Sequence, residues 1–345
     1  MPETRQDRGV GFALGGLGGS NAHGVGFLEA ARRQGITPRI ISCTSGMIHW
    51  TAHWLANRPM REKLEEQIRL MPRLPEPFAH LSGWKMMLQG LPGVFRPAWW
   101  DNWRDSLGQF PPMDRNALFD LLFPARMVVP TRSDEFYAEM ATILNEASIG
   151  VVFNSYAPAS GKEYLHVNPV ALQLLGRELG RDYGGRIFRP ITPDYLEAAL
   201  WLLQYGFGRK FDGEVLVDGA YHRQFILKEL TCVDTLFVAR PQSRTWRGEL
   251  PGNLFEAEDF KVELLFNNAY YGELSAMRTI NDLLAKNHLS CKDFHPIELV
   301  EIEIETQRGF FDYFFESLEV FDQAEVQSER VFREWNGRVA ASKQP

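Results

Sequence analysis

The feature that most constrains the fold is a glycine-rich loop between a short apolar run and an amphipathic segment near the start of the chain. "VGFAL" (10–14) predicts a buried parallel strand, and "GGLGGSNAHG" (15–24) predicts a loop, because glycine leaves the backbone unconstrained. "VGFLEAARRQG" (25–35) carries apolar residues on one face and ends in glycine, which predicts a helix. "PRIIS" (38–42) predicts the next strand. A strand–helix–strand unit of this kind predicts a parallel sheet flanked by helices.

Later apolar and amphipathic runs continue this alternation. They predict strands at 149–156, 213–220, 235–241 and 297–305, and helices at 195–206, 268–287 and 308–335. Residues 50–125 differ, because they are rich in Trp, Met, Phe and Pro, and they predict an irregular insertion. We therefore expect one three-layer α/β/α domain over residues 1–345 with a mostly parallel central sheet. A lid-like insertion at about 50–125 and a C-terminal helical extension at about 306–345 complete the predicted organisation.

Composition narrows the class of protein. The 345 residues are 45% apolar and 23% charged, which is normal for a globular chain with a sizeable core. The net charge of -7 and the lack of a basic stripe argue against nucleic acid as a partner. Three widely spaced cysteines, Cys43, Cys232 and Cys291, predict a reducing compartment. With no apolar run of about 20 residues and no signal-peptide pattern at the start, a cytoplasmic location is expected.

The glycine loop has two chemical interpretations beside a plain tight turn. Nucleotide binding is disfavoured, since no Gly-Lys-Ser/Thr follows and Asn21 stands where a dinucleotide fingerprint has its third glycine. The second strand also ends in Ser42 instead of the acidic residue that would hold a ribose. Free N–H groups in the loop could instead stabilise an oxyanion formed when an ester carbonyl is attacked. No cofactor is predicted.

A serine follows the second predicted strand in "CTSGM" (43–47). A strand, a sharp turn with serine at its apex and a helix form the nucleophile-elbow arrangement, which exposes the hydroxyl near a helix N-terminus. Gly46 directly after Ser45 leaves its N–H available to an oxyanion. The usual G-x-S-x-G pattern has glycine where this chain has Cys43 and Met47. An ordinary turn is the alternative interpretation.

The segment "GGLGGSNAHGVGFLEAARRQGITPRIISCTSGM" together with Asp218-Gly219-Ala220 in "EVLVDGAYHRQF" resembles the patatin-like phospholipases. The resemblance implies a patatin-like fold, a Ser–Asp catalytic dyad and a glycine-loop oxyanion hole. Ser45 falls on the nucleophile and Asp218 on the dyad aspartate. Ser20 stands where the family usually has arginine. The implied oxyanion-hole residues are Gly16, Leu17, Gly18, Gly19 and Gly46.

The resemblance implies a serine acyl-ester hydrolase that acts on a lipid or a small lipid-like ester. Two alternatives remain open: a catalytically weak relative that binds a lipid or a partner, and an acyltransferase that shares the acyl-enzyme. Trp99, Trp100 and Trp103 suit an oil–water boundary and predict a transient contact with a membrane surface, although packing in the core is an equal alternative.

The histidines offer other chemistries. His49 and His53 have a metal-ligand spacing, but no third ligand is evident, so a packed pair is the preferred interpretation and no metal is predicted. An α/β-hydrolase triad requires serine, acid and histidine in that order. Ser45, Asp218 and either His288 or His295 satisfy that order loosely, while the Asp-Gly-Ala motif fits a dyad better.

Overall fold

The structure is a computed structural model that describes residues 8–16, 21–74, 82–107, 124–241, 250–289, 294–304 and 318–342. Its strands are β1 (Val10–Leu14), β2 (Ile40–Cys43), β3 (Phe95–Pro97), β4 (Val128–Pro130), β5 (Gly150–Ala157), β6 (Lys162–Val167), β7 (Arg186–Pro190), β8 (Val217–Asp218), β9 (Thr235–Arg240) and β10 (Glu298–Glu303). Its helices are α1 (Ala22–Arg33), α2 (Gly46–Leu55), α3 (Met60–Arg69), α4 (Ser82–Gln89), α5 (Trp99–Leu107), α6 (Asp134–Glu146), α7 (Pro169–Leu175), α8 (Pro193–Ala199), α9 (Leu254–Ala285) and α10 (Leu318–Ser342).

A central eight-stranded sheet organises the molecule, with the strand order β10-β9-β1-β2-β5-β6-β7 and β8 paired to β5. The pairs from β10 to β5 are parallel, and so is β6 with β7, whereas β5 runs antiparallel to both β6 and β8. The sheet is mostly parallel and flanked by helices, so the predicted α/β fold is confirmed.

Both faces of the sheet are covered by apolar side chains. Phe12 and Leu14 of β1 contribute to one buried cluster, which includes residues of α1, α2, α6 and α10. Ala13, between them in sequence, contributes to a second cluster with residues of α7 and α9. Successive residues of a strand face opposite sides of the sheet, so strands buried on both faces carry continuous apolar runs. This explains why β1 is uniformly apolar and why β2 is apolar except for Ser42, whose buried hydroxyl donates to the carbonyl of Ile226.

Several predicted bounds were wrong. Helix α1 starts at Ala22, inside the predicted loop, and α9 begins at Leu254 instead of 268. The predicted helix over 195–206 ends at Ala199, and the chain then continues through a short 3-10 turn. After the helix, the carbonyl of Trp201 accepts a hydrogen bond from the N–H of Asp218 instead of from an N–H of a continuing helix. The predicted strand over 213–220 contains only the two residues of β8.

The region from 50 to 125 is not irregular where the structure describes it, because it contains α3, α4 and α5. Its apolar side chains divide into two sets. Met86 and Phe95 are buried in a third apolar cluster that lies against β5, β6 and β7. Trp99, Trp100 and Trp103 are more than half exposed.

Residues 310–317 of the late apolar run lie outside the described residues, whereas Val320 and Phe321 are buried. Among the described helices, none combines the length and the apolar character that crossing a membrane requires.

Candidate active site

Ser45 occupies a sharp turn between β2 and α2. Its backbone has φ 49° and ψ -135°, a region that non-glycine residues rarely adopt. Its hydroxyl does not cap the helix, although Ser45 is the residue that precedes α2. Residues in such conformations cost on the order of 1–3 kcal/mol each and cluster at functional sites. The predicted turn therefore has the strained geometry of a nucleophile elbow.

Gly16 lies directly against this turn. A Cβ atom at Gly16 would stand 2.2 Å from the carbonyl oxygen of Thr44 and 2.9 Å from the Cβ of Ser45, so only glycine fits. The N–H of Gly16 donates to Thr44 Oγ1 at 3.0 Å, and that hydroxyl donates in turn to the carbonyl of Gln224 at 2.7 Å. The predicted role of Gly16 as an oxyanion donor is therefore corrected. Its N–H is engaged, and the residue serves to allow close packing.

Gly46 is the first residue of α2, and no acceptor in the described part of the chain takes its N–H. The first N–H groups of a helix have no partner within the helix, and the helix dipole adds partial positive charge there. Gly46 is therefore free to donate to an anion beside Ser45. The other predicted donors, Leu17, Gly18 and Gly19, lie outside the described residues, as does Ser20.

Met47 occupies the position where the elbow pattern has its second glycine. The side chain is fully buried and lies over Gly24 of α1. A Cβ atom at Gly24 would stand 2.4 Å from the Met47 sulfur. The bulk that the elbow usually excludes is thus accommodated by a glycine on the neighbouring helix, and α2 still starts directly after Ser45.

Asp218 reaches the elbow through the pairing of β5. The first half of β5 pairs with β2, and its Ser155 pairs with Asp218 on β8. Because β6 occupies the other edge of β5, β8 continues the line of β2 beyond its carboxyl end. That is the edge of the sheet where Ser45 lies. A Cβ atom at Gly219 would stand 2.2 Å from the side chain of Asn154, which explains the glycine of the Asp-Gly-Ala motif.

Asp218 is 2% exposed, and no cation of the described residues forms an ion pair with its carboxyl group. Burial raises its pKa to about 7, although hydrogen bonds from the Ser45 side chain and from the backbone N–H of Ala220 partly oppose the shift. The second of these bonds is 2.9 Å long. A carboxyl group with a pKa near neutrality beside a serine side chain is suited to accept the serine proton.

A cavity of about 40 Å³ opens beside these two side chains. Its lining includes polar side chains as well as apolar ones. The polar ones are Ser45, Asp218, His49, Gln67 and Arg132, and the apolar ones include Leu91, Phe95, Leu200 and Leu202. The motifs did not reveal His49 or Arg132 as residues of this site. The four-residue spacing from Ser45 along α2 could have indicated His49, because such residues share a helix face. No sequence signal connects Arg132 to the elbow.

His49 and His53 pair with each other, and His295 lies away from Ser45 and Asp218. His49 and His53 are joined by a hydrogen bond between their Nε2 atoms at 2.9 Å. Within the described ranges no group of three or more His, Cys, Asp or Glu side chains could hold a metal ion. His295 hydrogen-bonds to the carbonyl of Val233, just before β9 begins. This is the end of the parallel strands opposite to the end where Ser45 lies. A triad through His295 is therefore excluded by position.

Neither a protein-family model nor a curated protein sequence matches this chain. Among solved structures, it is similar to VipD from Legionella pneumophila at 10% identity and a TM-score of 0.35, over 94% of this chain and 67% of that one. It is also similar to human GIVD cytosolic phospholipase A2, solved with methyl gamma-linolenyl fluorophosphonate, at 13% identity and a TM-score of 0.35. That match covers 96% of this chain and 58% of the phospholipase.

Proposed function

We propose that the chain is a serine acyl-ester hydrolase of the patatin-like type, acting on a lipid or a small lipid-like ester. The observation that carries the proposal is the strained Ser45 turn with the buried Asp218 carboxyl close enough for the Ser45 side chain to lower its pKa, beside a cavity that both residues line. The unengaged N–H of Gly46 at the start of α2 supports the same chemistry.

In the proposed reaction, Asp218 accepts the hydroxyl proton while Ser45 Oγ attacks the ester carbonyl carbon. The resulting oxyanion accepts a hydrogen bond from the N–H of Gly46, and a donor of this kind is typically worth about 3–4 kcal/mol. When the intermediate collapses, the ester C–O bond breaks and the alcohol leaves with the proton from Asp218. Water then attacks the acyl-enzyme with Asp218 again as base, which releases the acid and restores the serine hydroxyl.

The mixed lining of the cavity supports a lipid-like substrate. Leu91 and Leu200 offer apolar surface to an acyl chain in the same cavity that Ser45 and Asp218 line. The exposed Trp99, Trp100 and Trp103 support a transient contact with a membrane surface, where indole rings are favoured. The lid role of 50–125, the single-domain organisation and the cytoplasmic location remain predictions of the sequence.

The test uses p-nitrophenyl butyrate and octanoate with the purified wild type, Ser45→Ala and a matched control, Ser42→Ala. Ser42 lies three residues before the elbow, and its hydroxyl donates to the carbonyl of Ile226 at 2.8 Å. We expect hydrolysis by the wild type and the control, and at least a 1000-fold loss in Ser45→Ala. Equal rates in wild type and Ser45→Ala contradict the proposal.

A catalytically weak lipid-binding protein is the second candidate, and Met47 in the place of the second glycine of the elbow pattern favours it. A fluorophosphonate probe separates the two candidates. Labelling of Ser45 supports the hydrolase, whereas lipid binding without labelling supports the binder. An acyltransferase would be labelled too, but it would form a new ester when an alcohol acceptor is added to the assay.

A further inference from the structure

We infer that two further residues, Thr44 and Gln224, are positioning residues for the proposed site. With Gly16 they close a buried ring of hydrogen bonds, which we call the Gly16 ring. The ring sets the distance between the Ser45 hydroxyl and the Asp218 carboxyl. Its effect on catalysis rests on the proposed function, whereas its effect on the geometry of the two side chains does not.

Each hydrogen bond of the Gly16 ring has a fixed direction. The N–H of Gly16 donates to Thr44 Oγ1 at 3.0 Å. A threonine hydroxyl has one hydrogen, and here it is donated to the carbonyl of Gln224 at 2.7 Å. The side-chain amide nitrogen of Gln224 donates to the carbonyl of Gly16 at 3.3 Å, which closes the ring. Both backbone polar groups of Gly16 are therefore held by the other two members.

The Gly16 ring joins the three chain segments that build the proposed site. Gly16 follows β1 and belongs to the glycine loop. Thr44 directly precedes Ser45 at the end of β2, and Gln224 lies six residues after Asp218. Because Ser45 and Asp218 are far apart along the chain, their spacing depends on contacts between these segments. The ring is such a contact, and it bonds to each of the three.

The ring is buried and closely packed against the Ser45 turn. Thr44 is fully buried, and Gln224 is 1% exposed. A Cβ atom at Gly16 would stand 2.2 Å from the carbonyl oxygen of Thr44 and 2.9 Å from the Cβ of Ser45. Hydrogen bonds are stronger in such surroundings than in water, and close packing leaves little room for a shift. Opening the ring should therefore loosen the turn that lies against it.

A neighbouring hydroxyl provides a matched comparison. Ser42 lies two residues before Thr44, and its buried hydroxyl donates to the carbonyl of Ile226 at 2.8 Å. Both hydroxyls thus bond to carbonyls of the segment 224–226. Of the two, the Thr44 hydroxyl is the one that also accepts a hydrogen bond from Gly16. Removing either hydroxyl breaks a bond of similar length, but removing that of Thr44 also opens the ring.

The pKa of Asp218 reports on its contact with Ser45. Burial raises the pKa of Asp218 to about 7, and the Ser45 side chain lowers it. If Ser45 moves away, that lowering is lost and the pKa rises further. The titratable and charged neighbours among the described residues keep their charge near pH 7. They are Tyr205 and Tyr221, whose pKa values burial raises, His49, whose pKa burial lowers, and Arg132, which stays charged.

The ¹³C NMR signal of the Asp218 carboxyl group tests the ring without any substrate. Thr44→Val removes the hydroxyl at nearly constant volume, and we expect Asp218 to titrate roughly half a pH unit or more above the wild type. Ser45→Ala, which removes the serine hydroxyl itself, gives the largest rise. Thr44→Ser keeps the ring and should titrate like the wild type, as should Ser42→Ala. A wild-type titration in Thr44→Val overturns the proposal, even if ester hydrolysis is confirmed.

Gln224→Met opens the ring from its other side and leaves the Thr44 hydroxyl in place. It should also raise the titration midpoint of Asp218, so the proposal can be tested if Thr44→Val does not fold. Urea denaturation shows which variants are folded. A folded Gln224→Met protein in which Asp218 titrates as in the wild type contradicts the ring.

Esterase kinetics at high pH, above the titration of Asp218, separate positioning from a purely structural role. We expect Thr44→Val and Gln224→Met to lower kcat about 10- to 100-fold, since small misplacements of reacting groups cost that much. KM should stay within about 2-fold, and Thr44→Ser should restore kcat. A raised Asp218 midpoint in Thr44→Val with an inactive wild type supports the ring and contradicts the hydrolase. An active wild type with unchanged kcat in both variants contradicts the ring alone.

Discussion

Asp218 and the buried glutamates around Arg223 lie close together in the fold. The pKa values of Asp218 and of Glu229, one of those glutamates, shift in opposite directions. Asp218 is buried, no cation of the described part of the chain pairs with it, and burial raises its pKa to about 7. Glu229 is almost as deeply buried, yet its pKa is lowered, because the charge and hydrogen bond of Arg223 and the charge of Arg186 outweigh the effect of burial. The same burial thus leaves one carboxyl able to exchange a proton near neutrality and keeps the other charged.

The paired group forms a buried ion cluster around Arg223. Its guanidinium lies 2.8 Å from Glu229, 2.9 Å from Glu163 and 3.2 Å from Glu273. Asn154 joins the two groups, because its side-chain amide donates to Glu163 at 2.8 Å and to the carbonyl of Gly219 at 3.4 Å. The comparison indicates a division of roles: the ion cluster holds the backbone that follows Asp218, so Asp218 itself can remain without a cation.

The largest expected effect comes from removing the unpaired carboxylate. Asp218→Asn should lower the esterase rate about 100- to 10,000-fold, since a general base contributes that much and an amide cannot accept the Ser45 proton. Steady-state kinetics with p-nitrophenyl butyrate measure the loss, with Asp182→Asn at the surface as control. A rate within a few-fold of the wild type would show that Asp218 is not the base.

Breaking the ion cluster around Arg223 should lower the stability of the fold, because the cluster takes no part in the proposed reaction. Arg223→Met leaves three carboxylates buried without their common cation, and we expect a loss of about 3–5 kcal/mol in the free energy of unfolding. Urea denaturation measures it. Arg186→Met is the matched control, because Arg186 contacts only the outer side of the cluster at Glu229 and is partly exposed, so its loss should be smaller. Equal losses in both variants would contradict the central role of Arg223.

The raised pKa of Asp218 predicts that Asp218→Asn is more stable than the wild type at neutral pH. Between pH 4 and 7 the folded wild type keeps a proton that the unfolded chain releases, so wild-type stability falls as the pH rises and levels off above about 7. Asparagine does not titrate. The difference in unfolding free energy should be near zero at pH 4 and about 2–4 kcal/mol at pH 8.

Urea denaturation of both proteins across this pH range gives that difference directly, because the titration of all other groups cancels. A difference that is constant from pH 4 to pH 8 would mean that burial does not raise the pKa of Asp218.

The same shift predicts the pH dependence of the proposed activity. Deprotonated Asp218 is the base, so kcat/KM should fall about 10-fold for each pH unit below about 7 and reach a plateau above it. The measurement is a pH–rate profile with a neutral ester. A profile that is flat between pH 5 and 8 argues for another proton acceptor.

The smallest effect concerns the uncharged packing beneath Ser45. Gly24→Ala should cost about 1–2 kcal/mol, because the new methyl group overlaps Met47. In a Met47→Ala background the same change should stabilise the protein by about 0.5–1 kcal/mol, since alanine is the better helix former. The double-mutant cycle measures this reversal of sign, and additive effects would contradict the contact.

The site residues that could be predicted from the sequence are those whose role is indicated by their neighbours along the chain. Ser45 follows a strand and precedes a helix, and Asp218 sits in an Asp-Gly turn, so both stand out by their neighbours. His49, Arg132 and Asn154 could not be assigned to the site from the sequence. They come from separate elements, and no spacing relates Arg132 or Asn154 to Ser45.

By itself, the sequence determined the β1–loop–α1–β2 unit and the turn that carries Ser45, because strand burial, glycine freedom and helix periodicity act over a few residues. Tertiary structure alone decided that β8 extends the line of β2, that Gly24 makes room for Met47, and that Asp218 is buried without a cation while its neighbours share Arg223. A pKa depends on the solvent and charges that surround a group, and those come from distant parts of the chain brought together by folding.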